Sequence, residues 1–275
     1  MNGMKVSIFD PMGNITALVE GCAPGARLAC ASAVMERFPA VEQVGFAELS
    51  EDGERVELCM AGGEFCGNAS MSAAALFLLR RGGSAPVTDA WETVQLRVSG
   101  VSREVEVRLK RKTGKSFLAA VRMPPALSVT EQVFPFGALR DPITVVRMEG
   151  IAHAIVTPAS GFYSLRSDKA AAEEAAQRLC AALGAKALGL MFLEGNAPRM
   201  RLAPLVYVPG SGTMIWENSC ASGSTAVGTA LAEKSGARVR LELEEPGGVL
   251  VIESGGLRVE TWLSGQTRLI DEMIL

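Results

Sequence analysis

The sequence predicts an α+β chain built from two similar halves, and three observations carry that prediction. At 275 residues it exceeds what one compact core of ordinary size holds. Each half reads as short β-rich segments interrupted by helices, and each has one helix of small residues that follows a cysteine, Cys66 in the first half and Cys220 in the second. Between them, Pro124-Pro125 marks a break that helix and strand interiors both resist.

From Lys5, the segment VSIFDPMGNITALVE gives two apolar β-rich pieces flanking a Pro-Met-Gly-Asn turn, with Asn14 just past it. Residues 26–37 suit a helix ended by Phe38-Pro39, and residues 41–49 and 55–60 predict strands around a Glu51-Asp52-Gly53 turn. AGGEFCGNASMSAAALFLLRRGG follows, with a glycine-rich entry, helix formers over 69–81, arginines in the last turn and a Gly-Gly stop. Apolar all round, this helix is predicted to be buried. Strands are predicted over 93–98, 101–110 and 117–123. The second half repeats the plan: strands over 143–148 and 151–157, a helix over 168–183, and strands over 187–193 and 199–208. A turn-rich PGSG, a short strand over 214–217 and the helix segment NSCASGSTAVGTALAEKSG come next, then strands over 238–245, 249–253, 257–263 and 266–274.

Hydrophobic residues make up 48%, charged residues 21% and aromatics 5%, so the cores must be built from Ala, Val, Leu and Met. The formal net charge is −3, and the densest basic run, Arg108, Lys110, Arg111, Lys112 and Lys115, reads as a solvated hairpin, which predicts no nucleic-acid partner. No segment reaches the roughly 18–20 apolar residues of a membrane span, and the first residues lack signal-peptide character, so a cytoplasmic location without a membrane partner is predicted. Six cysteines form no CxxC pair and the chain has one histidine, so the cysteines are expected reduced and no metal site is expected.

Cys22, Cys30, Cys59 and Cys180 lie on ordinary strand or helix stretches and read as small buried hydrophobes. Cys66 and Cys220 differ, because a helix N-terminus offers backbone N–H groups and the positive end of the dipole. Such an end suits a carboxylate and is expected to lower a thiol pKa, so each cysteine stands ready as a general base. Inverting an α-carbon needs a base on one face and an acid on the other, and two thiols of opposite protonation state satisfy this without a cofactor. Amide donors at the carboxylate would stabilise the carbanion that forms between them.

FCGNAS and SCASGS resemble the CGNG and CGSG or CGTG motifs of the diaminopimelate epimerase superfamily. PMGNITALV resembles that family's N-terminal GxGNDF segment, and EGIAHAIV is similar to its GNPHCV strand, so the likeness runs in order along the whole chain. The resemblance implies two pseudo-symmetric domains, each a curved, barrel-like antiparallel sheet around a central helix: residues 1–122 with a C-terminal strand over 265–275, and residues 123–264. It further implies Cys66 and Cys220 as the acid/base pair, Gly67, Asn68, Ala221 and Ser222 as backbone donors to the α-carboxylate, Asn14 as a substrate contact, no cofactor, and a homodimer.

The departures redirect the substrate. Ile151 and Ala152 replace Asn and Pro of GNPH, the stretch before the first Cys is shortened, and PGSGTMIWE replaces the Glu-Arg pair before the second. Those are the groups that recognise the distal end of diaminopimelate in the family. The wording GGEFCGNAS, ENSCASGS and DPMGNIT is most similar to the histidine racemases that feed opine-type metallophore synthesis, which implies racemisation of a free amino acid such as histidine. Glu217 is then placed to bind the α-ammonium, or else is a strand-end surface residue. His153 lies where the family lines its cleft, or else is an inward strand residue. The alternatives are a diaminopimelate-type epimerase with altered distal recognition, or a relative that binds an amino acid without turning it over. Phenazine-type isomerases lack the cysteine pair.

Overall fold

A computed structural model describes residues 4–49, 55–82, 89–210, 212–257 and 259–274. In chain order the first half holds β1 (Lys5–Asp10), β2 (Thr16–Glu20), α1 (Arg27–Arg37), β3 (Gln43–Leu49), β4 (Val56–Met60), α2 (Gly67–Gly82), β5 (Glu92–Val98), β6 (Val105–Arg111) and β7 (Ser116–Arg122). The second holds β8 (Ser128–Val133), β9 (Pro142–Met148), β10 (Ile151–Val156), α3 (Lys169–Leu183), β11 (Leu188–Asn196), β12 (Arg199–Val208), β13 (Thr213–Trp216), α4 (Ala221–Ser235), β14 (Val239–Glu245) and β15 (Gly248–Ser254), and β16 (Thr261–Ile274) ends the chain. Contacts divide the chain into Met1–Arg122 with Ser264–Leu275, and Met123–Leu263.

In the first unit β1 to β7 pair in sequence order, and β16 closes the ring by pairing with both β7 and β1. The result is an eight-stranded barrel, filled by α2, which touches each of β1 to β7. Outside, α1 lays Cys30, Ala31 and Val34 on Val6, Ala17, Val19, Val44 and Phe46. Strands β1 to β3 are therefore buried on both faces and read as continuous apolar runs, whereas β5 and β6 alternate buried and exposed residues. In the second unit the strand order is β8-β9-β10-β11-β12-β14-β15-β16. There α4 touches β8, β9, β10, β14 and β15, and α3 packs on β11 and β12.

The sheets are mixed, which corrects the antiparallel arrangement that the resemblance implies. β2 and β3, β4 and β5, β10 and β11, and β12 and β14 pair in parallel. Each of the four helices lies between the two strands of one such pair. The reason is topological: parallel neighbours cannot be joined by a hairpin and need a crossover, which each helix supplies.

Three further differences have local causes. β8 escapes sequence reading because none of its residues is buried and Thr130, Glu131 and Val133 are exposed, so it has no alternating apolar signal. The strands expected over 257–263 and 266–274 merge into β16, which begins at Thr261, since Gly265 keeps an extended conformation instead of turning the chain. The strand expected from residue 101 starts at Val105. The expected Glu51-Asp52-Gly53 turn lies outside the described residues. Among the described residues no helix is long and apolar enough to cross a membrane.

Candidate active site

Cys66 and Cys220 occupy matching places at the heads of the two central helices. The Sγ of Cys66 accepts the N–H of Ala69 at 3.4 Å, and the Sγ of Cys220 accepts that of Gly223 at the same 3.4 Å. Each thiol thus caps its helix as a serine would, satisfying one of the amides that have no carbonyl within the helix. Gly67 and Asn68 are the first two residues of α2, and Ala221 and Ser222 those of α4. These expected carboxylate donors sit in the first turn beside each thiol, where backbone N–H groups point along the axis. The hydroxyl of Ser222 lies 3.7 Å from the Cys220 sulfur.

The first unit connects Asn14 to Cys66 by a run of hydrogen bonds. The turn before Asn14 carries Met12 in the left-handed region at φ 57°, and Asp10 braces it by accepting the Gly13 N–H at 2.8 Å. Asn14 is buried, and its carbonyl accepts the Thr16 hydroxyl at 3.0 Å. Gln43 donates to Thr16 Oγ1 at 2.7 Å, and its Oε1 accepts the Cys66 thiol at 3.1 Å. Gln43 went unnoticed in the sequence because its place opposite Thr16 depends on the parallel register of β2 and β3. Cys66 itself is partly exposed.

In the second unit Glu217 follows β13, its N–H bonded to the Pro204 carbonyl at 3.0 Å. Its carboxylate lies beside the Cys220 thiol and pushes its pKa up. A second acid, Glu245 at the end of β14, is buried and accepts the Cys220 N–H at 2.6 Å and the Ser224 hydroxyl. Burial pushes the Cys220 thiol well above its ordinary range, and the charges of Glu217 and Glu245 push it further. That corrects the expectation of a thiol pKa lowered at both helix ends: at Cys220 the single amide contributed by Gly223 is outweighed by desolvation and two carboxylates. Glu245 is also pushed up, to about 8, by burial.

His153 is wholly buried on β10, and its ring nitrogens make no hydrogen bond among the described residues. Burial pushes its pKa down to about 3, so it is a neutral imidazole. It lies on the sheet face beside Gly189, where a Cβ would fall 2.3 Å from its Nδ1 and 2.5 Å from Met191 Cε. Met191 in turn sits against Gly223, whose added Cβ would be 2.4 Å from its sulfur. Glycines at both places therefore let His153, Met191 and the head of α4 pack in one layer.

Comparison with known proteins adds the chemistry to this geometry. The model of the histidine racemase CntK N-terminal domain matches residues 4–260. The chain belongs to that family. It is 29% identical to a histidine racemase of Fusobacterium nucleatum over 98% of this chain and 96% of the relative. It is 26% identical to a histidine racemase of Staphylococcus aureus over 97% and 95%. A probable proline racemase from Agrobacterium radiobacter shares the fold with a TM-score of 0.68, at 12% identity, over 99% of this chain and 92% of that one. The chain is an isomerase, an amino-acid racemase acting on a small-molecule amino acid. Of the four cysteines expected as buried hydrophobes, Cys22, Cys30 and Cys180 are buried, whereas Cys59 is only partly buried.

Proposed function

We propose that the chain is a pyridoxal-independent histidine racemase in which Cys66 and Cys220 are the acid and base acting on one Cα. The observation that carries this reading is the matched capping of the two thiols, each on the third amide of a small-residue helix at 3.4 Å. Histidine is favoured by the names of the relatives, which align over nearly their full lengths. The FCGNAS and SCASGS segments further relate the chain to the diaminopimelate epimerase superfamily.

In the mechanism the substrate carboxylate is held by the first-turn amides of Gly67, Asn68, Ala221 and Ser222, and Asn14 supplies a further polar contact. One cysteine, as thiolate, takes the α-proton and becomes a thiol. The electron pair left on Cα delocalises into the carboxylate, where the helix-end amides stabilise the added charge. The other cysteine, a thiol, then protonates Cα from the opposite side and is left as thiolate. The two thiols exchange protonation states, no atom is lost or gained by the substrate, and no electron acceptor is needed. Glu217, beside Cys220, would take the substrate's α-ammonium.

Replacement of either thiol tests this. Cys66→Ser and Cys220→Ser are each expected to lower kcat/KM for L-histidine by roughly 10²- to 10⁴-fold, the range of a lost acid or base. Racemisation followed by chiral chromatography reads the loss, and a near-wild-type rate in either variant contradicts the reading.

A further inference from the structure

Around the two cysteines the halves match in plan but differ at a buried strand end. β5 and β14 are each seven residues long, with the same inward positions: Val94, Leu96 and Val98 in the first, Leu241, Leu243 and Glu245 in the second. Val98 is 2% exposed and Glu245 5% exposed, so a carboxylate fills an apolar core position. The serine four residues past each cysteine differs to match. Ser70 bonds back to the Cys66 carbonyl at 2.7 Å, whereas Ser224 turns to the Glu245 carboxylate. Glu245 also accepts the Cys220 N–H at 2.6 Å. Two donors and a buried strand end hold this acid beside Cys220, whereas the matching strand end of β5 carries Val98.

We propose that Glu245 is a positioning residue that makes the two thiols unequal: it fixes the backbone of Cys220 and, once ionised, opposes ionisation of the Cys220 thiol. This rests on the two-thiol reading above. The titratable groups that face Glu245 are Cys220, at the head of α4, and Glu217, just past β13. A negative charge gained by Cys220 is opposed by these carboxylates when they are ionised. When Cys220 protonates the carbanion and becomes a thiolate, the burden is least if Glu245 holds its proton. The two acids therefore titrate as a coupled pair.

The experiment is a pH titration of the intact protein carrying ¹³Cβ-labelled cysteine, followed by NMR, with Cys66→Ser and Cys220→Ser used to assign the two signals. In Glu245→Gln, which keeps an acceptor for the Cys220 N–H and removes the charge, the Cys220 midpoint is expected to fall by about one pH unit, a tenfold rise in thiolate fraction. Cys66 should titrate as in the wild type, and Glu245→Asp, which keeps the charge, should leave Cys220 near its original midpoint. If Glu245→Gln does not fold, Ser224→Ala carries the test, because loss of one donor leaves Glu245 neutral to higher pH and moves Cys220 in the same direction by less. An unmoved Cys220 midpoint, or equal movement of both cysteines, overturns the inference. Full racemisation by Cys220→Ser would instead overturn the two-thiol reading itself, so the two failures are distinct.

Discussion

At the residue scale, His153 and Glu245 pull stability in opposite directions with pH. Burial lowers His153 from 6.5 to about 3, so the folded state refuses a proton that the unfolded chain accepts. Its contribution is complete above pH 6.5 and is lost as the pH falls toward 3. Burial raises Glu245 from 4.5 to about 8, so its contribution is complete below 4.5 and is lost as the pH rises toward 8. Each effect is on the order of a few kcal/mol. In urea unfolding across pH, His153→Gln should flatten the acid limb and Glu245→Gln the decline above pH 4.5; slopes that match the wild type would contradict both assignments. Glu245 was legible in principle, because it falls on the inward parity of β14 after Leu241 and Leu243. Gln43 was not, since only the pairing of two strands separated by a helix brings it to Cys66.

At the element scale, the small residues of α2 and α4 are a condition of fitting a helix against curved sheet. Gly228 makes the point, because a Cβ there would lie 2.3 Å from Cγ2 of the buried Ile252. Alanine gains about 1 kcal/mol of helix propensity over glycine, but overpacking a core typically costs about 1–3 kcal/mol. Gly228→Ala is therefore expected to destabilise by about 1 kcal/mol, the middle of the net range, in chemical denaturation, while Gly25→Ala, with nothing within 4 Å, should be neutral. A more stable Gly228→Ala would show that α4 has room to spare. These two helices, their cysteines and the glycine-rich entry of α2 were legible as local patterns. The pairing direction of the strands was not, because a single strand's alternation carries no record of its neighbour's direction. β8 was missed for want of any apolar face at all.

At the scale of the whole molecule, the two units share one element order: strands, a covering helix, strands, a small-residue helix, then further strands, with two strands in each of the first two groups in the first unit and three in the second. That plan was visible in the sequence because the two Cys-led helices repeat it. The chemistry they would perform depends on the halves acting together on one carbon, and isotope exchange reads that directly. L-histidine is incubated with the enzyme in D₂O, stopped early, and both enantiomers are analysed for deuterium at Cα. If Cys66 and Cys220 serve as separate acid and base, the D-histidine formed carries deuterium while the remaining L-histidine stays unlabelled. Product that retains the substrate's own proton, or substrate that gains label as fast as product, would contradict two thiols acting from opposite sides.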